Sequence, residues 1–365
     1  MRRVCITGGA GFIGSALADR LSAEGIEVVV LDDFRSGRRE FLADLLARAG
    51  ATLIEGDVLD ASALARAVEG CDWVFHMQAN ADVRHGLRTP RRDLEQNTIA
   101  TSGVLEAMRA ASVSRIVFAS TGSVYGEPEV FPTPEDAPFP VQTSLYAASK
   151  LAGEGLIGAY ATGYGFTGLI CRFVSILGER YTHGHVFDFY RALKRDPARL
   201  RVLGDGRQEK SYLYVQDCVS AILAAVRRHG EEPGAHIYNL GTEQTVTVDR
   251  SIAIIAGHMG LQPQVEHTGG VRGWPGDSPL IRLDTTRIRS LGWKPSLSIE
   301  QAIVRTLDWF DRNEYAWRAP PESTLAPGGG AVPNEPATAN KRGVAPSEPV
   351  TTSSEPVATP HARPA

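Results

Sequence analysis

The chain has 365 residues and a formal net charge of −4, so no basic field predicts binding to nucleic acid or to an anionic membrane. Its four cysteines are far apart and show no CxxC or zinc-type spacing, which favours reduced thiols over a disulfide framework. The first residues contain no apolar run typical of a signal peptide, and no run of about 18 apolar residues predicts a membrane span. We therefore expect a soluble cytoplasmic protein without a nucleic-acid or membrane partner.

Apolar strands alternate with amphipathic helices through the first half of the chain. The second strand is almost entirely apolar, which is typical of a strand buried on both faces of a parallel sheet. The predicted strands are 4–7, 26–31, 52–55, 73–76, 115–119 and 168–173. The predicted helices lie near 11–23, 39–49, 61–69, 91–111 and from 146 onwards. This alternation predicts an α/β fold with a doubly wound parallel Rossmann sheet.

Beyond residue 175 the alternation becomes irregular. Short strands are predicted at 200–202 and 236–239, among helices at 215–228, 248–257 and 298–312. We interpret 1–175 as one domain and 176–318 as a smaller lobe that is interleaved with it. Residues 319–365 are rich in Pro, Ala, Ser and Thr, and they predict a disordered tail because they bury too little apolar surface to offset the entropy of ordering.

Three glycines, Gly8, Gly11 and Gly14, lie between the first strand and the first helix. Glycine permits the tight turn and the close backbone approach that a pyrophosphate requires at a helix amino terminus. Asp32 and Asp33 end the next strand, where a carboxylate accepts hydrogen bonds from a ribose 2′-hydroxyl and repels a 2′-phosphate. The pattern predicts bound NAD rather than NADP. The alternative is a structural turn followed by a solvated acidic pair.

Asp57 follows the third predicted strand, in the segment 55–58. Its carboxylate could accept a hydrogen bond from an adenine amino group, which would extend the dinucleotide site. An ordinary turn aspartate is the alternative.

Tyr146 and Lys150 are four residues apart on a predicted helix, so their side chains share one face. A lysine ammonium and an oxidised nicotinamide nearby would favour the phenolate, which makes the tyrosine an acid/base group near neutral pH. Tyr190 and Lys194 have the same spacing, but they lie in a stretch that resembles an ordinary amphipathic helix. Only the first pair follows a hydroxyl-rich strand end, 120–123, which is where ligands bind in such sheets. The sequence therefore favours Tyr146 and Lys150.

His183 and His185 flank a glycine and raise the question of a metal site. No third ligand at a suitable spacing is apparent in the sequence. We therefore expect no metal, and a loop or substrate-contact role for the two histidines.

These motifs together resemble the extended short-chain dehydrogenase/reductases, in particular the NAD-dependent nucleotide-sugar epimerases and dehydratases typified by UDP-galactose 4-epimerase. The resemblance runs from about residue 1 to 317. The cofactor loop is TGGAGFIG at 7–14, and the active-site segments are FASTGSVYG at 118–126 and YAASKLAGE at 146–154. Further similar segments lie at 74–84, 204–217 and 291–296, and Asn97 matches the family's helical asparagine.

The resemblance implies that 1–175 binds NAD and that 176–318 binds a nucleotide-sugar substrate. It implies NAD contacts from Gly8, Gly11, Phe12, Ile13, Gly14, Asp32, Asp33, Asp57, Val58, Ala79, Asn97, Tyr146, Lys150 and Phe173. It implies substrate contacts from Arg84, Thr121, Gly122, Ser123, Ser175, Lys210 and Arg272. Tyr146 would remove the proton of a sugar hydroxyl, Thr121 would hydrogen-bond the same oxygen, and Lys150 would hold the nicotinamide ribose.

Several residues depart from the family pattern. Gln78 and Asn80 are unusual at the end of the fourth strand, and Ser175 replaces a substrate-binding asparagine. Lys210 replaces an arginine and acts only as a point charge, and Trp274 stands where another arginine is usual, two residues from Arg272. These departures indicate a shifted or unusual sugar.

The residues after Thr121 bear on the reaction. Relatives that dehydrate or decarboxylate a sugar carry carboxyl groups there, whereas this chain has Gly122 and Ser123. The resemblance therefore implies 4-epimerisation, by oxidation, rotation of the ketone and reduction on its other face. The alternatives are an NAD-dependent dehydrogenase or an atypical dehydratase of a nucleotide-linked sugar or heptose, and a non-catalytic NAD-binding protein. The predicted helices near 91–111 and 146–163 resemble the pair that forms an intersubunit four-helix bundle in this family, so we expect a homodimer.

Overall fold

The computed structural model describes residues 1–80, 89–139, 141–230, 232–271 and 280–318. The predicted substrate residues Arg84 and Arg272, the departure at Trp274 and the predicted disordered tail at 319–365 lie outside these residues.

The amino-terminal half alternates strands with helices, as the sequence predicts. The strands are β1 (Arg3–Thr7), β2 (Glu27–Asp32), β3 (Ala51–Glu55), β4 (Trp73–His76), β5 (Arg115–Thr121) and β6 (Thr167–Phe173). The helices are α1 (Phe12–Ala23), α2 (Ala43–Leu46), α3 (Ala61–Val68), α4 (Pro90–Asp93), α5 (Ala100–Ala110) and α6 (Leu145–Tyr164). Two 3-10 turns, Arg39–Leu42 and Gly122–Tyr125, and a π-helical segment, Leu94–Ile99, complete this half.

Shorter elements follow. The strands are β7 (Ser175–Leu177), β8 (Arg199–Val202), β9 (Glu209–Lys210), β10 (Tyr212–Tyr214), β11 (Gly234–Leu240), β12 (Val246–Thr247) and β13 (Gln264–His267). The helices are α7 (His185–Arg195), α8 (Val215–His229), α9 (Val248–His258), α10 (Thr286–Arg289), α11 (Ile299–Arg312) and α12 (Glu314–Trp317). None of the described helices is both long and apolar enough to cross a membrane.

The central sheet is parallel and confirms the predicted fold class. Its seven described strands are arranged in the order β11-β6-β5-β4-β1-β2-β3. The chain moves outward from β1 to β3 and then returns to β4 on the other side of β1, so the order reverses between β1 and β4. A crevice opens at such a reversal beyond the carboxyl ends of the strands, and ligands bind there.

Helices cover both faces of the sheet. Side chains at alternating strand positions pack into two apolar clusters, one on each face. Val4, Ile6 and Val30 belong to the cluster that includes residues of α1 and α8. Cys5 and Val29 belong to the cluster that includes residues of α3, α5 and α6. Burial on both faces accounts for the nearly continuous apolar strands in the sequence.

Two predicted helices differ from the structure. The prediction of a helix over 39–49 is wrong in extent, because residues Arg39–Leu42 form a 3-10 turn and α2 ends at Leu46. The predicted helix over 91–111 is interrupted by the π-helical segment Leu94–Ile99. A π-helical turn holds one extra residue, a deviation that sequence periodicity does not show, and it is frequent at functional sites.

The later elements contribute both to the central sheet and to a set of small sheets. β11 pairs with β6 along its whole length and so forms the outer strand of the central sheet. The pairs β7–β10, β9–β12 and β8–β13 form three two-stranded sheets. Contacts join Met1–Arg318 into one compact unit. The division at residue 175 into two functional parts therefore remains a prediction.

Candidate active site

The glycine loop after β1 leaves no room for side chains. Gly8 has φ of +70°, and a Cβ on it would lie 2.7 Å from the Cα of Gln78. A Cβ on Gly14 would lie 2.2 Å from the carbonyl oxygen of Gly8, and one on Gly11 would lie 3.1 Å from that oxygen. The loop therefore brings backbone close to the start of α1 at Phe12, which is the arrangement that a dinucleotide pyrophosphate requires.

The carboxylates at the end of β2 differ in their surroundings. Asp32 is buried and accepts hydrogen bonds from the amides of Ala10 at 2.9 Å and Phe34 at 2.8 Å. Burial raises the pKa of Asp32, and these two bonds oppose the rise. Asp33 is more exposed and forms an ion pair with Arg35 at 3.0 Å. Asp32 thus holds the glycine loop and the turn after β2 together at the position predicted for the adenosine ribose.

Asp57 lies next to the same arginine. Its Oδ1 accepts a hydrogen bond from the amide of Leu59 at 2.9 Å, and its Oδ2 lies 3.0 Å from Arg35. Burial opposes ionisation, but these bonds outweigh it and lower the pKa of Asp57. Arg35 is therefore shared by two carboxylates, Asp33 and Asp57, and Val58 is buried beside them.

Asn97 connects the end of β4 to helix α6. It is buried in the π-helical segment, accepts a hydrogen bond from the amide of Asn80 at 2.8 Å and donates one to the Ser149 hydroxyl at 2.8 Å. Ala79 lies beside Asn80, and Asn80 donates through its own side chain to Asp93 at 2.7 Å. Helix α6 is therefore fixed against the carboxyl end of β4.

Tyr146 and Thr121 face each other across the carboxyl end of β5. Tyr146 lies in the first turn of α6, whose amino terminus is capped by the Ser144 hydroxyl. Burial raises the pKa of Tyr146 to about 12, while a hydrogen bond from Thr121 opposes the rise and the charge of Asp93 adds to it. Ser123 donates its amide to Thr121 at 3.1 Å and so orients that hydroxyl. This arrangement can hold and move a proton at the phenol oxygen.

Lys150 is almost completely buried one turn further along α6. Its Nζ donates to the carbonyl of Ala119 at 2.7 Å and lies 4.7 Å from the ring centre of Phe118. Burial lowers the pKa of Lys150 to about 7, and the nearby carboxylate of Glu154 opposes that change. The amine of Lys150, one helical turn from Tyr146, can therefore gain or lose its proton near neutral pH.

A buried polar network, which the sequence analysis did not predict, lies behind the lysine. Glu154 accepts three bonds from Arg172, the shortest at 2.6 Å, and a further bond from the hydroxyl of Ser120. Arg172 also donates to the hydroxyl of Tyr125 at 2.7 Å, which in turn donates to Asn239 at 2.8 Å. The network joins α6 to β5, β6 and β11 immediately next to Thr121. The spacing of Tyr146, Lys150 and Glu154 by four residues was a usable signal for the glutamate.

The predicted substrate residues that the structure describes lie at the end of β5 and in two short strands, β7 and β9. Phe173 pairs with Thr121 in the sheet, and Ser175 is two residues further along the chain. Ser175 pairs with Tyr212, and Lys210 is two residues before that tyrosine. Gly122 and Ser123 form the 3-10 turn that follows Thr121. Gly122 and Ser123 therefore lie at the carboxyl end of the central sheet, whereas Ser175 and Lys210 lie on β7 and β9 of the two-stranded sheets.

The second tyrosine and lysine pair lies elsewhere. Tyr190 is fully buried and donates to Asp311 at 2.6 Å, and Lys194 lies 3.6 Å from the same carboxylate. This pair connects α7 to α11 and is not at the carboxyl ends of the sheet strands. His183 stacks on Tyr181, and His185 hydrogen-bonds the hydroxyl of Tyr212.

Comparisons with known proteins place this geometry in one family. The model of the NAD-dependent epimerase/dehydratase family matches residues 4–241. A UDP-glucose 4-epimerase of Mycolicibacterium smegmatis is 34% identical over 316 residues, which cover 84% of this chain and 98% of that protein. A crystal structure of a UDP-galactose 4-epimerase is 37% identical, with a TM-score of 0.77, and covers 85% of this chain and 99% of its own.

The structural similarity extends to a second activity. A dTDP-glucose 4,6-dehydratase from Streptomyces venezuelae, solved with NAD bound, is 27% identical with a TM-score of 0.78, over 86% of this chain and 98% of its own. The family match, the level of identity and the cofactor loop agree. The chain belongs to the NAD-dependent epimerase/dehydratase family.

Proposed function

We propose that the protein is an NAD-dependent nucleotide-sugar 4-epimerase, an isomerase. One observation carries the proposal: Tyr146, Thr121 and Lys150 meet at the carboxyl end of β5, while the next positions, Gly122 and Ser123, lack a carboxyl group. This set can exchange a proton with a sugar hydroxyl, but it does not place an acid beside a leaving group. The curated relative and the solved structure named as 4-epimerases support the same activity.

The cofactor fits the residues that the structure describes. The turn at Gly8, Gly11 and Gly14 would admit the pyrophosphate, and Asp32 would receive the adenosine ribose. Val58, Ala79 and Phe173 would flank the dinucleotide at the ends of their strands, together with Ile13 at the start of α1. When bound, NAD⁺ would supply a reversible hydride acceptor for C4 of the sugar.

The chain's own residues handle the proton. Tyr146 would accept the proton of the C4 hydroxyl as the carbonyl forms and would return it when the carbonyl is reduced. Thr121, held by Ser123, would donate a hydrogen bond to the same sugar oxygen. Lys150 would favour the phenolate form of Tyr146, since a nearby cation lowers the pKa of a phenol.

A dehydrogenase or an atypical dehydratase is the second candidate, because a dehydratase shares the fold. Dehydration would need a further acid next to the sugar. Two buried carboxylates act on the charge of the catalytic residues, Asp93 on Tyr146 and Glu154 on Lys150, and they are hydrogen-bonded to Asn80 and to Arg172 respectively. Their engagement in these bonds favours the epimerase.

The purified protein should be incubated with a panel of UDP- and dTDP-linked hexoses, with NMR to identify products and absorbance to detect NADH. The proposal requires interconversion of C4 epimers without net NADH. Accumulated NADH would establish a dehydrogenase, and a deoxy-ketosugar would establish a dehydratase.

Asp32→Ala is expected to weaken NAD binding and to reduce discrimination against NADP. The substitution removes a ribose acceptor and a group that repels a 2′-phosphate. Loss of its bonds to Ala10 and Phe34 alone would weaken both dinucleotides equally, so the ratio of the two dissociation constants is the informative measurement. Asp60→Ala, which removes the cap of α3, is the control and should leave that ratio unchanged. An unchanged ratio in Asp32→Ala would show that the ribose lies elsewhere.

We further propose a homodimer that forms through α5 and α6. The exposed face of α6 carries a stripe of small residues, Ala148, Ala152, Gly155 and Ala159, which permits close helix packing. Leu94 and Ile99, in the segment before α5, are 52% and 50% exposed and would add apolar area to such a contact. A cytoplasmic location is proposed as well, since all four cysteines are buried and free.

Light scattering at micromolar concentration should give the mass of a dimer. Ala152→Glu should shift it towards the monomer, because a charge would be buried in the helix contact. Ala253→Glu is the matched control, since Ala253 is exposed on α9, away from this face. A monomeric parent chain, or a dimer unaffected by Ala152→Glu, would contradict the proposed interface.

A further inference from the structure

A cluster of two histidines and a glutamate lies at the opposite end of the sheet from the active site. His229 is the last residue of α8, and His236 is the third residue of β11. Phe173 and Leu240 form the last pair of the β6–β11 ladder, at its active-site end, whereas His236 belongs to the third pair. Glu232 lies in the connection between α8 and β11. This cluster therefore has no part in the proposed epimerase site.

The side chains of this cluster converge. One ligand atom from each of His229, Glu232 and His236 lies within 4.8 Å of the others. The Nδ1 of His229 lies 2.8 Å from Oε2 of Glu232, and the two imidazole rings stack with centres 3.8 Å apart. His229 is buried, His236 is half-buried and Glu232 is exposed, so the group is open to solvent on one side.

The surrounding contacts prepare His229 to act as a ligand. Its Nε2 lies 2.6 Å from the hydroxyl of Tyr238, so an outer partner orients the ring and leaves Nδ1 directed at the cluster. Two imidazoles and one carboxylate form a donor set that suits Zn²⁺, with water completing the tetrahedron.

We propose that His229, Glu232 and His236 bind one Zn²⁺ ion, which links the end of α8 to the start of β11. The expectation of no metal rested on His183 and His185, although 229–236 has HxxExxxH spacing. The four cysteines do not compete for the ion, because each is buried in the folded chain.

Two other histidines provide matched controls. His258 lies 2.8 Å from Asp311 and His267 lies 2.7 Å from Asp249, so each is a histidine–carboxylate pair. Within the described part of the chain, neither pair belongs to a group of three possible ligands. These pairs show how tightly one histidine and one carboxylate bind Zn²⁺ when no third ligand is present.

The experiment uses the full chain, stripped of metal by a chelator and titrated with Zn²⁺ against a chromophoric chelator. We expect one equivalent of tightly bound zinc and a zinc-dependent rise in Tm, since a ligand that binds only the folded chain stabilises it. His236→Gln and Glu232→Gln should each weaken binding by more than about tenfold, the range in which even outer-shell partners act. His258→Gln and His267→Gln should bind zinc as the parent does.

Circular dichroism and NAD binding, measured without zinc, establish that each variant is folded. Absence of a tight equivalent in the parent chain would overturn the proposal. Binding that is unaffected by His236→Gln and Glu232→Gln would also overturn it, and would leave the cluster as a hydrogen-bonded chain from Tyr238 to Glu232. Neither result depends on the epimerase activity.

Discussion

Tyr146→Phe should bind NAD as the parent does while its turnover falls by about 10²–10⁴-fold, the usual contribution of a general acid/base. The substitution keeps the ring and its packing in the first turn of α6 and removes only the hydroxyl. Thr121 and Lys150 remain, but neither replaces the phenol. Lys150 is almost completely buried, and its Nζ donates to the carbonyl of Ala119.

The measurement is kcat and KM on the best nucleotide sugar of the panel, with cofactor content checked by absorbance. Because Tyr146 and Lys150 act jointly, Tyr146→Phe combined with Lys150→Met should be little worse than the single variant. Tyr190→Phe is the matched control, since it breaks the other pair with the same spacing and loses only the bond to Asp311. Retained activity in Tyr146→Phe, or its loss in Tyr190→Phe, would place the active site elsewhere.

Local spacing was sufficient to predict the turn after β1 and the helix that carries Tyr146 and Lys150. The three glycines follow an apolar strand, and the tyrosine and lysine lie one helical turn apart, so each motif is contained in fewer than ten residues. The strand and helix order also followed from periodicity, which is why the parallel sheet was predicted correctly. Contacts with distant residues are not needed to recognise such short motifs.

Other features depend on contacts between distant residues. Arg172 meets Glu154 only because β6 and α6 are adjacent, and Asn239 joins them from β11, which follows much later in the chain. Strands of two or three residues, such as β9 and β10, have no measurable periodicity. Asn97 is buried within a π-helical segment, a deviation that helical periodicity in the sequence does not show.

Arg172→Met should lower the free energy of unfolding by about 3–5 kcal/mol, the cost of leaving one member of a buried ion pair without its partner. Arg172 is 1% exposed and is the principal cation on Glu154, which would retain only the hydroxyl of Ser120. Methionine fills much of the vacated volume, so the loss reports the charge more than the packing.

Urea unfolding followed by circular dichroism measures this change. Combining Arg172→Met with Glu154→Leu should recover part of the stability, because it removes the orphaned carboxylate along with its partner. Arg250→Met breaks an exposed pair with Glu300 and should leave the free energy of unfolding nearly unchanged. Two results would contradict this explanation: a loss of stability in Arg172→Met as small as that in Arg250→Met, or a double variant less stable than Arg172→Met alone. Either would show that the uncompensated charge of Glu154 does not cause the loss in free energy of unfolding.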